Sequence, residues 1–218
     1  MASNKVFSSV PRVKEIREIK RVVVSRLPTR HGLFDIYGYQ AAPSGLEHVA
    51  LVFGALPLPK PALVRIHSEC LTGEVFGSLR CDCQAQLELG LETIVANGSG
   101  VVVYLRGQEG RGIGLVNKLR AYALQDRGRN TVSANVDLGL PVDAREYADA
   151  VAILRDLGVE HVRLMTNNPD KVRAVAAGGL IVDERVPLIT TATPDNVDYI
   201  QTKQEELGHL FGRKPRPI

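Results

Sequence analysis

The chain has 218 residues, 44% of them hydrophobic and 23% charged, with a net charge of +3. That much apolar material excludes a chain disordered throughout, and the apolar runs fall far short of the roughly 18 residues a membrane span needs. The charged start MASNKVFSSVPRVKEIREIKR has no apolar stretch of the secretory kind, three cysteines do not suit a disulfide framework, and the absence of tryptophan argues against a base-stacking nucleic-acid platform.

Residues 1–20 read as a loose charged arm, with Lys14, Glu15, Arg17, Glu18 and Lys20 alternating in sign. Strand texture begins at Arg21, with Val22–Val24, a turn over Leu27–Gly32, then Leu33–Tyr37. His48–Phe53 and Ala62–His67 read as further strands, separated by the proline-rich loop 57–61, where three prolines in five residues supply no ladder donors. Leu87, Leu91, Ile94 and Val95 recur at helical spacing over Ala85–Asn97. Val101–Leu105 reads as a buried strand, Gly112–Gly128 as a helix stopped by glycine, and Arg145–Leu157 as another helix. Val162–Met165 and Ile181–Val182 read as strands around a helix opened by Asn168-Pro169. Thr193-Pro194 reads as the start of a last helix, with proline at its first position, ending near Leu207. The expected fold is therefore α/β (α+β), a mixed β-sheet with flanking helices and a β-rich N-terminal third. One domain is expected over residues 21–210, followed by a basic, flexible tail over 211–218.

All three cysteines fall in one 14-residue window with the spacing C-x10-C-x-C: Cys70, Cys81 and Cys83. Zinc favours thiolates; structural sites take four protein ligands, and catalytic sites take three and leave a position open. Three cysteines alone point to an open site, whereas His67 as a fourth ligand would make a closed Cys3His site; spacing does not decide between them. Next comes Arg106-Gly-Gln-Glu-Gly-Arg-Gly-Ile-Gly114, whose glycines let a backbone approach a ligand closely. Arg106 and Arg111 offer bidentate phosphate donors, and a following helix N-terminus would favour an anion. The spacing matches neither a Walker A loop nor a dinucleotide fingerprint.

Taken together, His67-Ser-Glu-Cys-Leu-Thr-Gly-Glu74, Ser78-Leu-Arg-Cys-Asp-Cys83, Gln108-Glu-Gly-Arg-Gly-Ile-Gly-Leu115, Asn117-Lys-Leu-Arg-Ala-Tyr-Ala-Leu-Gln-Asp126 and Thr166-Asn-Asn-Pro169 resemble the GTP cyclohydrolase II family over about residues 20 to 210. The resemblance implies opening of the imidazole ring of GTP with release of formate and pyrophosphate, the first step of riboflavin synthesis. It implies the stand-alone form of the domain, a homodimer in the cytoplasm, and Zn2+ held by Cys70, Cys81 and Cys83. It places Arg65, His67, Ser68, Glu69, Gln86, Glu109, Gly110, Arg111, Thr131, Thr166 and Lys171 around GTP. It makes Tyr122 a catalytic tyrosine, Asp143 a proton acceptor and Arg145 a nucleophile. A guanidinium is always protonated and a poor nucleophile, so Arg145 is expected to act as a charge clamp on the α-phosphate. Mg2+ is expected on the triphosphate, because hard oxygen ligands select it. Neither a nucleic acid nor a membrane is expected as partner. Two other readings are a related cyclohydrolase, stopping at the formamide or serving a branch pathway, and a zinc-stabilised nucleic-acid module.

Overall fold

A computed structural model describes residues 18–211, so the expected arm up to residue 17 and the tail from residue 212 lie outside the described residues. The strands are β1 (Ile19–Thr29), β2 (Gly32–Ala41), β3 (Glu47–Phe53), β4 (Ala62–Ser68), β5 (Gly100–Leu105), β6 (His161–Met165) and β7 (Ile181–Val186). The helices are α1 (Leu71–Glu74), α2 (Cys83–Ala96), α3 (Glu109–Gly112), α4 (Leu115–Gln125), α5 (Thr131–Asp137), α6 (Ala148–Asp156), α7 (Pro169–Ala177) and α8 (Val197–Glu205). The strands form one mixed sheet in the order β1-β2-β3-β5-β4-β6-β7. Its first part is an antiparallel meander running into β5, and β5, β4, β6 and β7 are mutually parallel. The α/β expectation holds, with four strands complete by Ser68.

The central parallel strands β4 and β5 are buried on both faces. Val102 belongs to a cluster with Phe34, Leu63, Leu91 and Ile94, on the α2 side. Its neighbour Val103 belongs to the opposite cluster with Tyr39, Ile66, Ile153 and Val175, on the α6 and α7 side. Period-two alternation sends neighbouring residues to opposite faces, which is why Gly100–Leu105 reads as an unbroken apolar run.

Topology fixes where a ligand can sit. From β4 the chain turns through α1 and α2 to β5 on one side, and from β5 it returns past β4 to β6 on the other. The strand order reverses between β4 and β5, and in open α/β sheets ligands bind at the carboxyl ends of the strands at such a point. Ser68–Cys70 follow β4, Gln108–Arg111 follow β5, and Thr166–Asn168 follow β6.

Four sequence expectations are corrected in detail. The first turn is tighter than Leu27–Gly32, since Thr29 already pairs with Gly32 in the ladder. The helix expected over Gly112–Gly128 is shorter: α4 begins only at Leu115, behind Gly114, and ends at Gln125, while Gly110 (φ 61°) and Arg111 (φ 64°) just upstream are left-handed. The helix expected from Arg145 begins at Ala148. The last helix begins at Val197 rather than at Pro194; Asn196 accepts from the Thr193 N–H at 2.8 Å, closing a turn around the proline. By contrast, Asn168 caps α7 as expected, accepting from the Asp170 N–H with Pro169 in the first turn.

Candidate functional site

The thiols of Cys70, Cys81 and Cys83 converge, all three sulfurs lying within 4.8 Å of one another and Cys70 and Cys81 3.7 Å apart. Zinc–sulfur bonds of about 2.3 Å at tetrahedral angles set sulfurs about 3.8 Å apart, so the cluster fits one zinc ion. Gly73 lies directly beneath it: a Cβ there would stand 2.9 Å from the Cys81 sulfur and 3.3 Å from that of Cys70. Cys70 is drawn toward thiolate by the neighbouring Cys81 and Cys83 thiols and by the Lys118 ammonium, while the same coupling pushes Cys81 and Cys83 up.

Among the described residues no histidine or carboxylate joins this cluster. His67 is turned away from it, with Nε2 2.7 Å from the Glu74 carboxylate and Nδ1 3.5 Å from the Arg65 guanidinium. Tyr104 donates to the other Glu74 oxygen at 2.5 Å and stacks on the His67 ring. Burial, then the charges of Arg65 and Lys171, hold His67 neutral. The donor set is three thiols with an open side, rather than Cys3His.

The glycine loop packs against the cysteine loop through Glu109 and Lys118. Glu109 accepts from the Leu71 N–H and from Lys118 Nζ, both at 2.6 Å. Lys118 also reaches the Cys70 sulfur at 3.1 Å and the Thr72 hydroxyl at 2.7 Å. Burial opposes the charge of Lys118, yet Cys70 and Glu109 outweigh it and keep the amine protonated. Gln108 joins three segments: it accepts from Ser68 at 2.6 Å, donates to the Glu146 carbonyl at 2.6 Å, and gives its N–H to Glu69 at 3.0 Å. The Ala144 N–H donates to the Arg111 carbonyl at 2.9 Å, and Gly112 packs so closely there that a Cβ would stand 3.1 Å from the Ala144 backbone. That contact carries Asp143 and Arg145 to the glycine loop.

A cavity of about 620 Å³ opens over the cysteines, within the range for small-molecule sites. Ser68, Glu69, Gly110, Arg111, Tyr122, Thr131 and Arg145 line it. A smaller recess adjoins it, lined by Arg65, His67, Gln86, Thr166 and Lys171 and sharing Arg111 and Arg145. Two expected residues line neither: Glu109 lies beneath the loop, holding it, and Asp143 lies behind Arg145. Asp143 accepts from the Arg145 N–H at 3.0 Å and from its Nε at 2.9 Å, with Nη2 closing the pair. Arg145 holds Asp143 below the usual carboxylate range against the effect of burial, and Tyr147 and Asp143 hold Arg145 protonated against the same effect. Tyr122 is pushed up by burial and keeps its proton.

The recess is strongly cationic. Burial pulls Arg65 down to about 10 and Lys171 well below its usual value; the charge of Arg145 adds to the fall of both, and that of Arg65 to the fall of Lys171. Both terminal nitrogens of Arg111 and the Nε of Arg65 are buried without a partner. Buried donors are nearly always satisfied, so this arrangement calls for an anion. Sequence reasoning passed over Lys118, Glu74, Tyr104, Asp82, Tyr199 and Lys203. The first three lie inside or beside motifs already singled out, while the pairing of Asp82 with Lys203 spans the chain and leaves no local signal.

The model of the family described as GTP cyclohydrolase II matches residues 20–187. A riboflavin biosynthesis protein RibBA of Salinispora tropica is 54% identical over 196 residues, covering 90% of this chain and 49% of the relative. The monofunctional riboflavin biosynthesis protein RIBA 3, chloroplastic, of Arabidopsis thaliana is 53% identical over 200 residues, covering 92% of this chain and 39% of the relative. The chain thus spans about half or less of the length of these curated relatives. No helix among the described residues is long and apolar enough to cross a membrane. A match running through β1 to β7, over a cysteine triad beside a cationic recess, makes this chain a member of the GTP cyclohydrolase II family.

Proposed function

We propose that the chain is a zinc-dependent hydrolase that opens the imidazole ring of GTP and releases formate and pyrophosphate. The product would be 2,5-diamino-6-(ribosylamino)-pyrimidin-4-one 5'-phosphate, made in the first step of riboflavin biosynthesis. One juxtaposition carries this reading: a three-thiol cluster with an open side faces the same cavity as the buried Arg111 guanidinium, whose two terminal nitrogens have no hydrogen-bond partner among the described residues. The chemistry a bound zinc supplies is Lewis-acid activation of water near neutral pH.

The remaining work falls to the chain's own residues. Arg111, Arg145, Arg65 and Lys171 bind and orient the triphosphate, in a recess whose low dielectric strengthens each contact. Tyr122 keeps its proton and can donate it to an oxyanion developing at the purine end. Arg145 stays cationic, which suits a clamp on the α-phosphate rather than a nucleophile. Asp143, held ionised, orients that clamp and is a weak base. His67, held neutral, can exchange hydrogen bonds with the substrate. Mg2+ would balance the remaining phosphate charge, and a homodimer would be the working form, which light scattering tests.

The test is incubation with GTP, Zn2+ and Mg2+ and identification of products by mass. Formate, pyrophosphate and the ring-opened monophosphate are expected in equal amounts. Accumulation of the formamide would show a cyclohydrolase that stops early, and intact GTP would overturn the reading. Full activity without Mg2+ would remove magnesium from it.

A further inference from the structure

The segment from α8 to Phe211 lies beyond the residues matched to the family model, which end at 187. It nevertheless closes one side of the cationic recess. Tyr199, Lys203 and His209 all stand in its wall, and Tyr199 also lines the larger cavity. The segment is fastened at two points. Lys203 Nζ meets Asp82 Oδ1 at 2.6 Å, with both side chains at least nine-tenths buried. Downstream, the Leu210 N–H donates to the Asn167 carbonyl at 2.8 Å, in the turn that follows β6.

The Lys203 contact opens a continuous chain into the sheet. The second oxygen of Asp82 accepts from Gln86 at 2.6 Å, Gln86 accepts from Arg65 at 2.8 Å, and Arg65 donates to the Met165 carbonyl at 3.0 Å. Asp82 stands between two of the clustered cysteines, so one ion pair ties the segment to the cysteine loop and to the floor of the recess. Lys203 lies 4.4 Å from the Tyr199 ring centroid, and the Arg111 guanidinium lies 5.7 Å from it on the cavity side. No carboxylate lines the recess, whereas Arg65, Arg111, Arg145, Lys171 and Lys203 all do. Cations gathered in this way repel one another, and a bound polyanion relieves the repulsion.

We propose that residues 197–211 form a wall of the anion site, and that Lys203 is the positioning residue that locks this wall to the cysteine loop through Asp82. An anion in the recess then tightens the segment, and the segment excludes water from the anion. The proposal rests on the functional reading above only for the identity of the ligand as a nucleoside triphosphate.

The test is hydrogen–deuterium exchange of the full chain with and without inorganic pyrophosphate. Residues 197–211 are expected to exchange at least tenfold more slowly with pyrophosphate present. Unchanged exchange in this segment while pyrophosphate binds overturns the proposal, whatever any variant does to folding. In Lys203→Met the segment is expected to exchange faster and the KM for GTP to rise tenfold or more, with kcat within threefold; Lys203→Arg recovers part of both. A Lys203→Met protein that melts lower but keeps its KM and its pyrophosphate-induced protection reduces Lys203 to a structural role and overturns its part. The pyrophosphate arm requires no turnover, so a chain that binds pyrophosphate in this way but leaves GTP intact refutes the functional reading and not this one.

Discussion

Gly73 shows how tightly one residue can govern the candidate metal centre. It is helical, so alanine there would ordinarily favour the helix by roughly 0.8–1 kcal/mol. Here the added methyl would press on two of the three sulfurs. Gly73→Ala is therefore expected to lower zinc content to below half an ion per chain while leaving the far-ultraviolet circular dichroism unchanged; elemental analysis of purified protein decides. In the function proposed above, the purine and phosphate ends of GTP are served by different groups, and this separation is testable too. Cys81→Ser is expected to lose formate release, with any residual pyrophosphate release yielding GMP. Arg145→Ala is expected to slow pyrophosphate release by about 10²–10³-fold, the usual cost of one charge-stabilising donor. Measuring both products in both variants tests this; parallel loss of both in a folded, GTP-binding Cys81→Ser protein would show that the two ends are coupled.

At the scale of elements, what was legible in the sequence was what local chemistry dictates. Asn168-Pro169 marks α7 because the cap and the ring geometry act within one turn. The β5 run is legible because both faces are buried. Thr131–Asp137 gave no helical signal: TVSANVD is rich in β-branched and polar residues, and α5 depends on a capping box between Asn130 and Ser133. The left-handed turn ahead of α4 was hidden because a non-glycine residue, Arg111, shares it with Gly110. The cysteine triad was legible from spacing, whereas the Lys203–Asp82 bond joins residues 121 apart. The C-terminal segment also carries a pH dependence. Burial first, then Lys203, Arg145, Arg111 and Lys171, depress His209 to about 2. Below about pH 6.5 the unfolded chain takes up a proton that the folded one refuses. The contribution of His209 is thus complete above pH 6.5 and falls toward pH 2, by at most about 1.4 kcal/mol per unit and less with solvent screening. Exchange of residues 208–211, corrected for the intrinsic rate, is expected to rise between pH 6.5 and 5, and His209→Gln to flatten that rise.

For the molecule as a whole, the antiparallel meander β1–β3 supplies framework, while the loops after β4, β5 and β6 supply the cavity. Zinc binding would link these loops to global stability, because an ion that prefers the folded chain shifts the unfolding equilibrium. At an ion concentration 100-fold above its dissociation constant the gain is about 2.7 kcal/mol. For a domain of this size that corresponds to about 5–10 °C in Tm. Calorimetry with and without a zinc chelator is expected to show a loss of this order, and an unchanged Tm would mean that the thiols do not hold the metal.

Arg111 combines two costs in one residue. A left-handed backbone disfavours any side chain with a Cβ by roughly 1–2 kcal/mol, and its two buried terminal guanidinium nitrogens have no hydrogen-bond partner among the described residues. Laboratory evolution for heat resistance alone, with no demand for turnover, would therefore be drawn to this position, since glycine or asparagine relaxes the backbone and removes the stranded charge. On the function proposed above, a library ranked only by melting temperature would be enriched in inactive proteins, and stabilisation of this chain for use at high temperature would have to hold residue 111 fixed.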